Sequence, residues 1–376
     1  MSERKLCRWA ALSLSNIATV FLPDLLGREQ SSFEHKLVTV SSTKPEDAVR
    51  SWLTTQKVPH SDSVTIFSSW EQMLEKGDFD VVYISSPHSL HYQHVMKALN
   101  CNRNVLVEKP ATMNAIQYEH CIALAKEKKL VLMEAMWTRY LPATQFLVND
   151  LLPKVGAVRR VFADFSFPIV SSDMPHSSRF LDKNAGAGSL LDQGCYALTW
   201  ADVALNSLKT KETKVLHSSS MSVADVPGEV DDINTIVLGQ SNATAIVTTS
   251  MTLPGSSQVS FYQRLHAQKQ APSVRIETEK ATIAIPFPPI RPEELHVTWY
   301  GSETTKDGLE VEKIFKKTID GWGIWYQADI IAKSVLQGRS EVIGAEESLR
   351  ILRWMDAARS MAGIEYPQEL DTVQDH

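Results

Sequence analysis

The chain has 376 residues, 43% hydrophobic and 22% charged, with a net charge of −6. It is long enough for two domains and a core that folds without covalent staples. The acidic balance removes any electrostatic case for nucleic acid or an anionic membrane. Four scattered cysteines, Cys7, Cys101, Cys121 and Cys195, form no C-x-x-C pair. They argue for free thiols in a reducing, cytoplasmic setting rather than a disulfide scaffold or a zinc knuckle.

The N-terminus mimics a signal peptide, with Arg4, Lys5 and Arg8 ahead of an apolar run to Leu22. Ser13, Ser15, Asn16 and Thr19 interrupt that run, and Pro23-Asp24 follow without a small-residue cleavage pattern. A strand over Cys7–Leu12 and a helix over Asn16–Leu26 read better. No segment supplies the ~18 consecutive apolar residues of a membrane span.

Strand-like and helix-like segments then alternate. Leu37–Val40 reads as a strand, and Pro45–Thr55 as a helix opened by Thr43 or Lys44. Thr65–Phe67 is a short strand, and Trp70–Lys76 a helix capped by Ser68 or Ser69. Val81–Ile84 is a continuous apolar strand, His91–Leu99 a helix and Asn104–Val107 a strand. A long amphipathic helix over Met113–Lys128 and a strand over Val131–Met133 close the pattern. This alternation predicts a parallel, doubly wound sheet.

From about Arg159 the texture changes. Arg159–Phe167, Lys214–Met221, Ile233–Gly239, Ala243–Met251, Ser273–Glu277, Ala281–Ile285 and His296–Tyr300 read as longer strands of an antiparallel sheet. Gly321–Gln337 and Ala345–Met361 read as helices, and the polar stretch Gly255–Gln270 as a flexible loop.

Two segments carry chemistry. Val105-Leu106-Val107-Glu108-Lys109-Pro110 is a strand that ends in a carboxylate, an amine and a proline. Ligands of parallel sheets bind at the carboxyl ends of strands, although a plain surface turn also fits. Gly186-Ala187-Gly188-Ser189-Leu190-Leu191-Asp192-Gln193-Gly194-Cys195-Tyr196 holds three glycines, a carboxylate and a tyrosine. On a helix, Asp192 and Tyr196 would share one face; a glycine-rich loop with a capping aspartate and a core tyrosine is the plainer alternative. His88, His91 and His94 have helical spacing, but a zinc site would need further ligands fixed elsewhere, and no metal is expected. His94 is expected at the solvated surface.

Together these pieces resemble the glucose–fructose oxidoreductase / inositol dehydrogenase (Gfo/Idh/MocA) family, nearest its dimeric dihydrodiol dehydrogenase and D-xylose dehydrogenase branch. Matching segments occur in order: Arg8-Trp9, Tyr83-Ile84 through His91, Val107 to Pro110, Met133 to Tyr140, Leu190 to Tyr196, Tyr326 to Asp329, Glu346 to Leu349, and Tyr366-Pro367. The resemblance implies an α/β architecture: an N-terminal Rossmann domain over 1–137 and a C-terminal α+β domain over 138–376 with an open, mostly antiparallel sheet. That second domain would bind substrate and form a homodimer, and its C-terminal helices could pack back on the first.

The resemblance further implies hydride transfer between NADP or NAD and a carbinol or carbonyl of a small diol, aldose or ketone. Tyr196 would be the acid/base, Lys109 would bind the substrate oxygen and lower the tyrosine pKa, and Asp192 would orient hydroxyls or the lysine. Trp137, Arg139 and Arg179 would contact substrate. The cofactor would meet Ser13, Leu14, Ser15, Asn16 and Ile17 at the first turn, then Ser42, Thr43 and Lys44. Ser85, Pro87, His88, His91, Glu108 and Lys109 would wall the nicotinamide.

The first turn departs from the family. Ser13 and Ser15 replace the glycines that form the tight turn and admit the pyrophosphate, while Ala18 keeps the final small residue. A shifted loop would turn the Ser15 hydroxyl into a phosphate donor. After the second strand, Ser42-Thr43-Lys44 offers no acid for a free 2′-hydroxyl, which favours NADP. Gln193 stands where an apolar residue is usual and suggests an altered substrate pocket. The degenerate turn keeps alive a non-redox cyclase, isomerase or lyase with no cofactor turnover. A ligand sensor has no need of the Lys109–Tyr196 pairing.

Overall fold

The computed structural model describes residues 4–206, 212–226, 229–257, 272–301 and 311–373. Most of the loop expected over Gly255–Gln270 lies outside them. Two compact units emerge. One comprises the described residues of Met1–Trp137, Asp320–Leu349 and Gln368–His376; the other comprises those of Thr138–Ile319 and Arg350–Pro367.

The first unit is a parallel sheet. Its strands are β1 (Leu6–Leu12), β2 (Glu34–Ser41), β3 (Thr65–Phe67), β4 (Val81–Ile84), β5 (Asn104–Val107), β6 (Leu132–Glu134) and, from the C-terminal part, β15 (Val342–Ile343). They lie in the order β15-β6-β5-β4-β1-β2-β3, all parallel. All four residues of β4 are buried, as a strand covered on both faces requires. Winding reverses between β1 and β4, the place where doubly wound sheets bind ligands.

The connecting helices are α1 (Ala18–Leu25), α2 (Glu46–Thr55), α3 (Trp70–Lys76), α4 (His88–Asn100) and α5 (Ala115–Glu127). Local chemistry settles one expected start and corrects three others. The α3 cap is Ser69, whose side chain accepts from the Gln72 amide. Asn114 caps α5 in the same way, so that helix starts after Met113. Pro45, and not Thr43 or Lys44, is the N-cap of α2. Pro87 starts α4 at His88, three residues earlier than expected. Trp9, Phe21 and Tyr83 pack ring to ring in the core.

Two C-terminal pieces complete this unit. Asp24 accepts from the backbone amides of Trp322, Ile324 and Trp325 and pairs with Arg28, which fixes the start of a helix over Trp325–Leu336. Asp329 on that helix accepts from Ser31 and the Ser32 amide and meets His35, whose other ring nitrogen accepts from Trp9.

The second unit is built on an eight-stranded sheet: β7 (Val158–Ser166), β8 (Lys214–Ser222), β9 (Asp231–Gly239), β10 (Thr244–Ser250), β11 (Val274–Thr278), β12 (Ala281–Ile285), β13 (Glu294–Trp299) and β14 (Glu312–Lys316). The order is β14-β13-β12-β11-β7-β10-β9-β8. Every pairing is antiparallel except β7 with β10, so the sheet is mostly antiparallel, as expected, with one parallel pair at its centre. Burial alternates along β12, as a strand with one covered face should. After a short helix α6 (Pro142–Phe146), the helix α7 (Cys195–Asn206) is buried at every position and packs on β7 and β10. No helix of the described residues is long and apolar enough to cross a membrane.

Candidate active site

The first turn of the parallel sheet joins β1 to α1. Ser13 has φ of 80°, the left-handed region that a β-carbon disfavours and glycine accepts freely. The backbone therefore makes the glycine-type turn without the glycine. The Ser15 hydroxyl faces inward. It accepts from the Ala18 amide at 3.3 Å and donates to Ser85 Oγ at 2.8 Å, and Ser85 Oγ donates to the Ser13 carbonyl at 3.3 Å. Ser15 thus holds the first amide of α1 and ties the turn to the end of β4. This departs from the expected phosphate donor. Leu14, Asn16 and Ile17 complete the loop, and the first turn of α1 supplies the positive helix end that suits a pyrophosphate. A dinucleotide fits a sheet with this strand order, this turn and this helix end.

At the end of β2, Thr43 and Lys44 are exposed, and the Lys44 amide donates to Ser42 Oγ at 3.1 Å. Beyond β4, Ser85 and Ser86 are buried and Pro87 starts α4. His88 and His91 are buried with their rings 5.7 Å apart. His94, expected at the surface, is buried as well. It meets Ser86 Oγ at 2.9 Å and packs on Trp70, and burial with the nearby His91 charge lowers its pKa to about 4. The exposed-face reading failed because the partners of His94 lie on α3 and on the end of β4. No group of three or more His, Cys, Asp or Glu among the described residues is arranged to hold a metal ion.

The Glu-Lys-Pro segment leaves the end of β5. Glu108 is buried and accepts from the Tyr83 hydroxyl at 2.7 Å and the Lys109 amide at 3.2 Å. Burial holds its carboxyl above the usual carboxylate range. The Ala111 amide donates to Glu134 at 2.9 Å, and Ser348 donates to the other oxygen of the same carboxylate at 2.5 Å. Glu134 and Ser348 lie in segments that carry the family resemblance but have no role of their own in the sequence reading; here they hold the backbone just beyond Lys109. Trp137 is buried at the start of a short helical turn.

In the second unit, Gly186 to Gly188 form a turn with φ of 78° and 127° at the two glycines. A five-residue π-helical turn, Leu190–Gly194, leads into α7. Asp192 therefore lies in the wider turn and Tyr196 four residues further on, in the first turn of α7. Arg179 approaches Asp192 at 3.8 Å. Tyr196 is 7% exposed and packs edge-on against Phe165. The Gln193 side-chain amide donates to the Phe167 carbonyl at 3.0 Å.

The turn is held from beneath by residues that sequence gave no reason to choose. Asp231 accepts from the Leu190 amide and from Asn234, each at 2.8 Å, and burial raises its pKa. Ser189 donates to the Asp232 carbonyl and contacts Thr249, and Asn234 donates to Ser189 Oγ. These partners lie 41 to 60 residues away in sequence, where no local pattern marks them. Arg139, expected at the substrate, donates to Asp202 at 2.7 Å, and Arg350 donates to the same carboxylate at 2.5 Å. Burial pushes Asp202 up, but the two guanidinium groups outweigh it and hold the carboxyl below its usual range.

These two units define a dinucleotide-binding sheet paired with an open-sheet α+β domain. The model of an oxidoreductase family with an NAD-binding Rossmann fold (Gfo/Idh/MocA) matches residues 14–136, and the Gfo/Idh/MocA C-terminal domain matches 153–283. The chain belongs to the Gfo/Idh/MocA oxidoreductase family, in the branch of dehydrogenases and reductases. It is 28% identical to a D-xylose 1-dehydrogenase (NADP(+)) of Hypocrea jecorina over 97% of this chain and 94% of that protein. It is 26% identical to a trans-1,2-dihydrobenzene-1,2-diol dehydrogenase of Xenopus laevis over 96% of this chain and 99% of that one. The crystal structure of an aldose–aldose oxidoreductase from Caulobacter crescentus shares the fold, with a TM-score of 0.75 at 22% identity, covering 96% of this chain and 98% of that one.

Proposed function

We propose that the protein is an NADP-dependent oxidoreductase that moves a hydride between nicotinamide and a carbinol or carbonyl of a small aldose, diol or ketone. The observation that carries this reading is full-length similarity to a D-xylose dehydrogenase named for NADP(+), in a chain that keeps Lys109, Asp192 and Tyr196 in their motifs. When bound, the cofactor supplies the hydride acceptor or donor.

The chain's own groups do the rest. Tyr196 takes the carbinol proton or returns it, and Lys109 binds the substrate oxygen. A free tyrosine titrates near ~10, and an ammonium beside it moves that value toward neutral pH. Asp192, with Arg179 beside it, orients the neighbouring hydroxyls. Trp137 walls the pocket. Arg139 acts on substrate only through the Asp202 ion pair that engages it. Ser85, Pro87, His88, His91 and Glu108 line the nicotinamide side.

Ser42, Thr43 and Lys44 receive the 2′-phosphate, with Lys44 as a point charge. Titration with NADPH and NADH, followed by nicotinamide fluorescence, tests this directly. NADPH should bind more tightly, and Lys44→Ala should weaken NADPH more than NADH. Equal affinities would refute the preference. Turnover of an aldose or diol by the unmodified protein would remove the non-redox alternative.

The second unit also carries the proposed homodimer contact. Leu216, Met221 and Ile314, on its edge strands β8 and β14, are 61%, 66% and 44% exposed. Sedimentation at micromolar concentration should give twice the chain mass.

A further inference from the structure

His91 sits between two carbonyl oxygens. Its Nδ1 lies 2.8 Å from the Pro110 carbonyl and its Nε2 lies 2.8 Å from the Ser86 carbonyl. The residue is 0% exposed. A carbonyl oxygen can only accept, and a neutral imidazole has one N–H. A neutral ring would point a lone pair at one of the two oxygens. Flipping the ring would put carbon against both. The arrangement is satisfied only when both nitrogens carry protons, and each bond is then charge-assisted.

The two carbonyls belong to different turns. Ser86 precedes Pro87 in the β4–α4 turn, and Pro110 directly follows Lys109 at the end of β5. We propose that His91 is a buried imidazolium that braces these two turns and thereby sets where Lys109 stands relative to the β4–α4 turn. It is a positioning residue, and its effect on turnover rests on the redox reading given above.

Ionisable groups on the elements that meet here are His88 and His94 on the same helix, Glu108 and Lys109 on the β5 turn, and Glu134 behind Ala111. His94 is held neutral chiefly by burial in its own site. A buried charge is costly unless it is fully hydrogen-bonded, and both donors of this ring are met by backbone oxygens that cannot move away independently of the turns.

The protonation state can be read without cofactor or substrate. In protein labelled with ¹⁵N-histidine, one of the eleven histidines should show two slowly exchanging ring N–H groups at pH 8. That signal should vanish in His91→Gln or His91→Leu. The absence of any such histidine, or its survival in a folded His91 variant, overturns the proposal. Amide exchange over residues 84–88 and 108–112 should quicken at least about tenfold in His91→Leu; unchanged exchange in both turns also overturns it.

Once a substrate is in hand, His91→Gln should lower kcat about 10–100-fold, since a small misplacement of a catalytic group has that effect. An unaltered kcat in folded His91→Gln removes the positioning role. Failure to find any turnover would count against the redox reading, while the histidine spectrum and amide exchange would still decide the brace.

Discussion

Two glycine-type turns govern this molecule, and they have fared differently. At the β1–α1 turn both expected glycines are serines. Ser13 nevertheless adopts a left-handed φ, and Ser15 turns its hydroxyl to Ala18 and Ser85. At the Gly186–Gly188 turn the glycines remain, and one of them has no alternative. A β-carbon on Gly188 would collide with Asp231 Oδ1, and Asp231 is anchored by the Leu190 amide and Asn234. A left-handed dihedral alone costs about 1–2 kcal/mol and can be borne. A β-carbon driven into an anchored, buried carboxyl cannot be relieved locally.

The sharpest test of the contrast lies in what each turn serves. Tyr196→Phe, just beyond the second turn, and Lys109→Ala should each lower turnover by about 10²–10⁴-fold with circular dichroism unchanged. Near-native turnover in Tyr196→Phe would remove the tyrosine from the chemistry.

Next in size is Gly188→Ala. It should destabilise the protein by about 3 kcal/mol or more through strain and overpacking, read as a shift in the urea midpoint. A variant within about 1 kcal/mol of the parent would show that Asp231 is free to move, and the comparison would fail.

A pH effect of about 2 kcal/mol belongs to the first unit. Burial lowers the His94 pKa to about 4, below the ~6.5 of an unfolded histidine. Between these values the unfolded chain binds the extra proton, so stability falls as pH drops from 6.5 toward 4. The unfolding midpoint should therefore drop between pH 7 and pH 5, and His94→Gln should flatten that drop. Parallel pH profiles for the two proteins would contradict the buried, neutral assignment.

The smallest effects probe the serine turn itself. Ser13→Gly should stabilise by about 1 kcal/mol, because glycine accepts the left-handed φ. Ser15→Gly should lose about 1 kcal/mol, because it removes the hydroxyl that bonds both the Ala18 amide and Ser85. If both changes act in the same direction, the two serines do not have the separate roles described here.

The sequence by itself determined the alternation of strands and helices in the first unit, the change of texture near Arg159 and the family. Those signals are local: apolar runs, a cap at Ser68 or Ser69, and short motifs at strand ends. It also marked Lys109, Asp192 and Tyr196 as the residues to follow. Tertiary structure decided what each signal is made of. His94 looks like a surface residue until α3 and the end of β4 cover it. Asp192 looks like part of a plain loop or α-helix until the backbone widens into a π turn over Leu190–Gly194. The parallel β7–β10 pair, the strand Glu312–Lys316 and the two-residue strand Val342–Ile343 have no local signature that separates them from loop or from antiparallel neighbours. The clamp of Asp231 on Leu190 and the hold of Ser348 on Glu134 join residues 41 and 214 positions apart. Hydrogen-bond partners at such separations are chosen by the packing of whole elements, and no pattern of nearest neighbours in the chain encodes them.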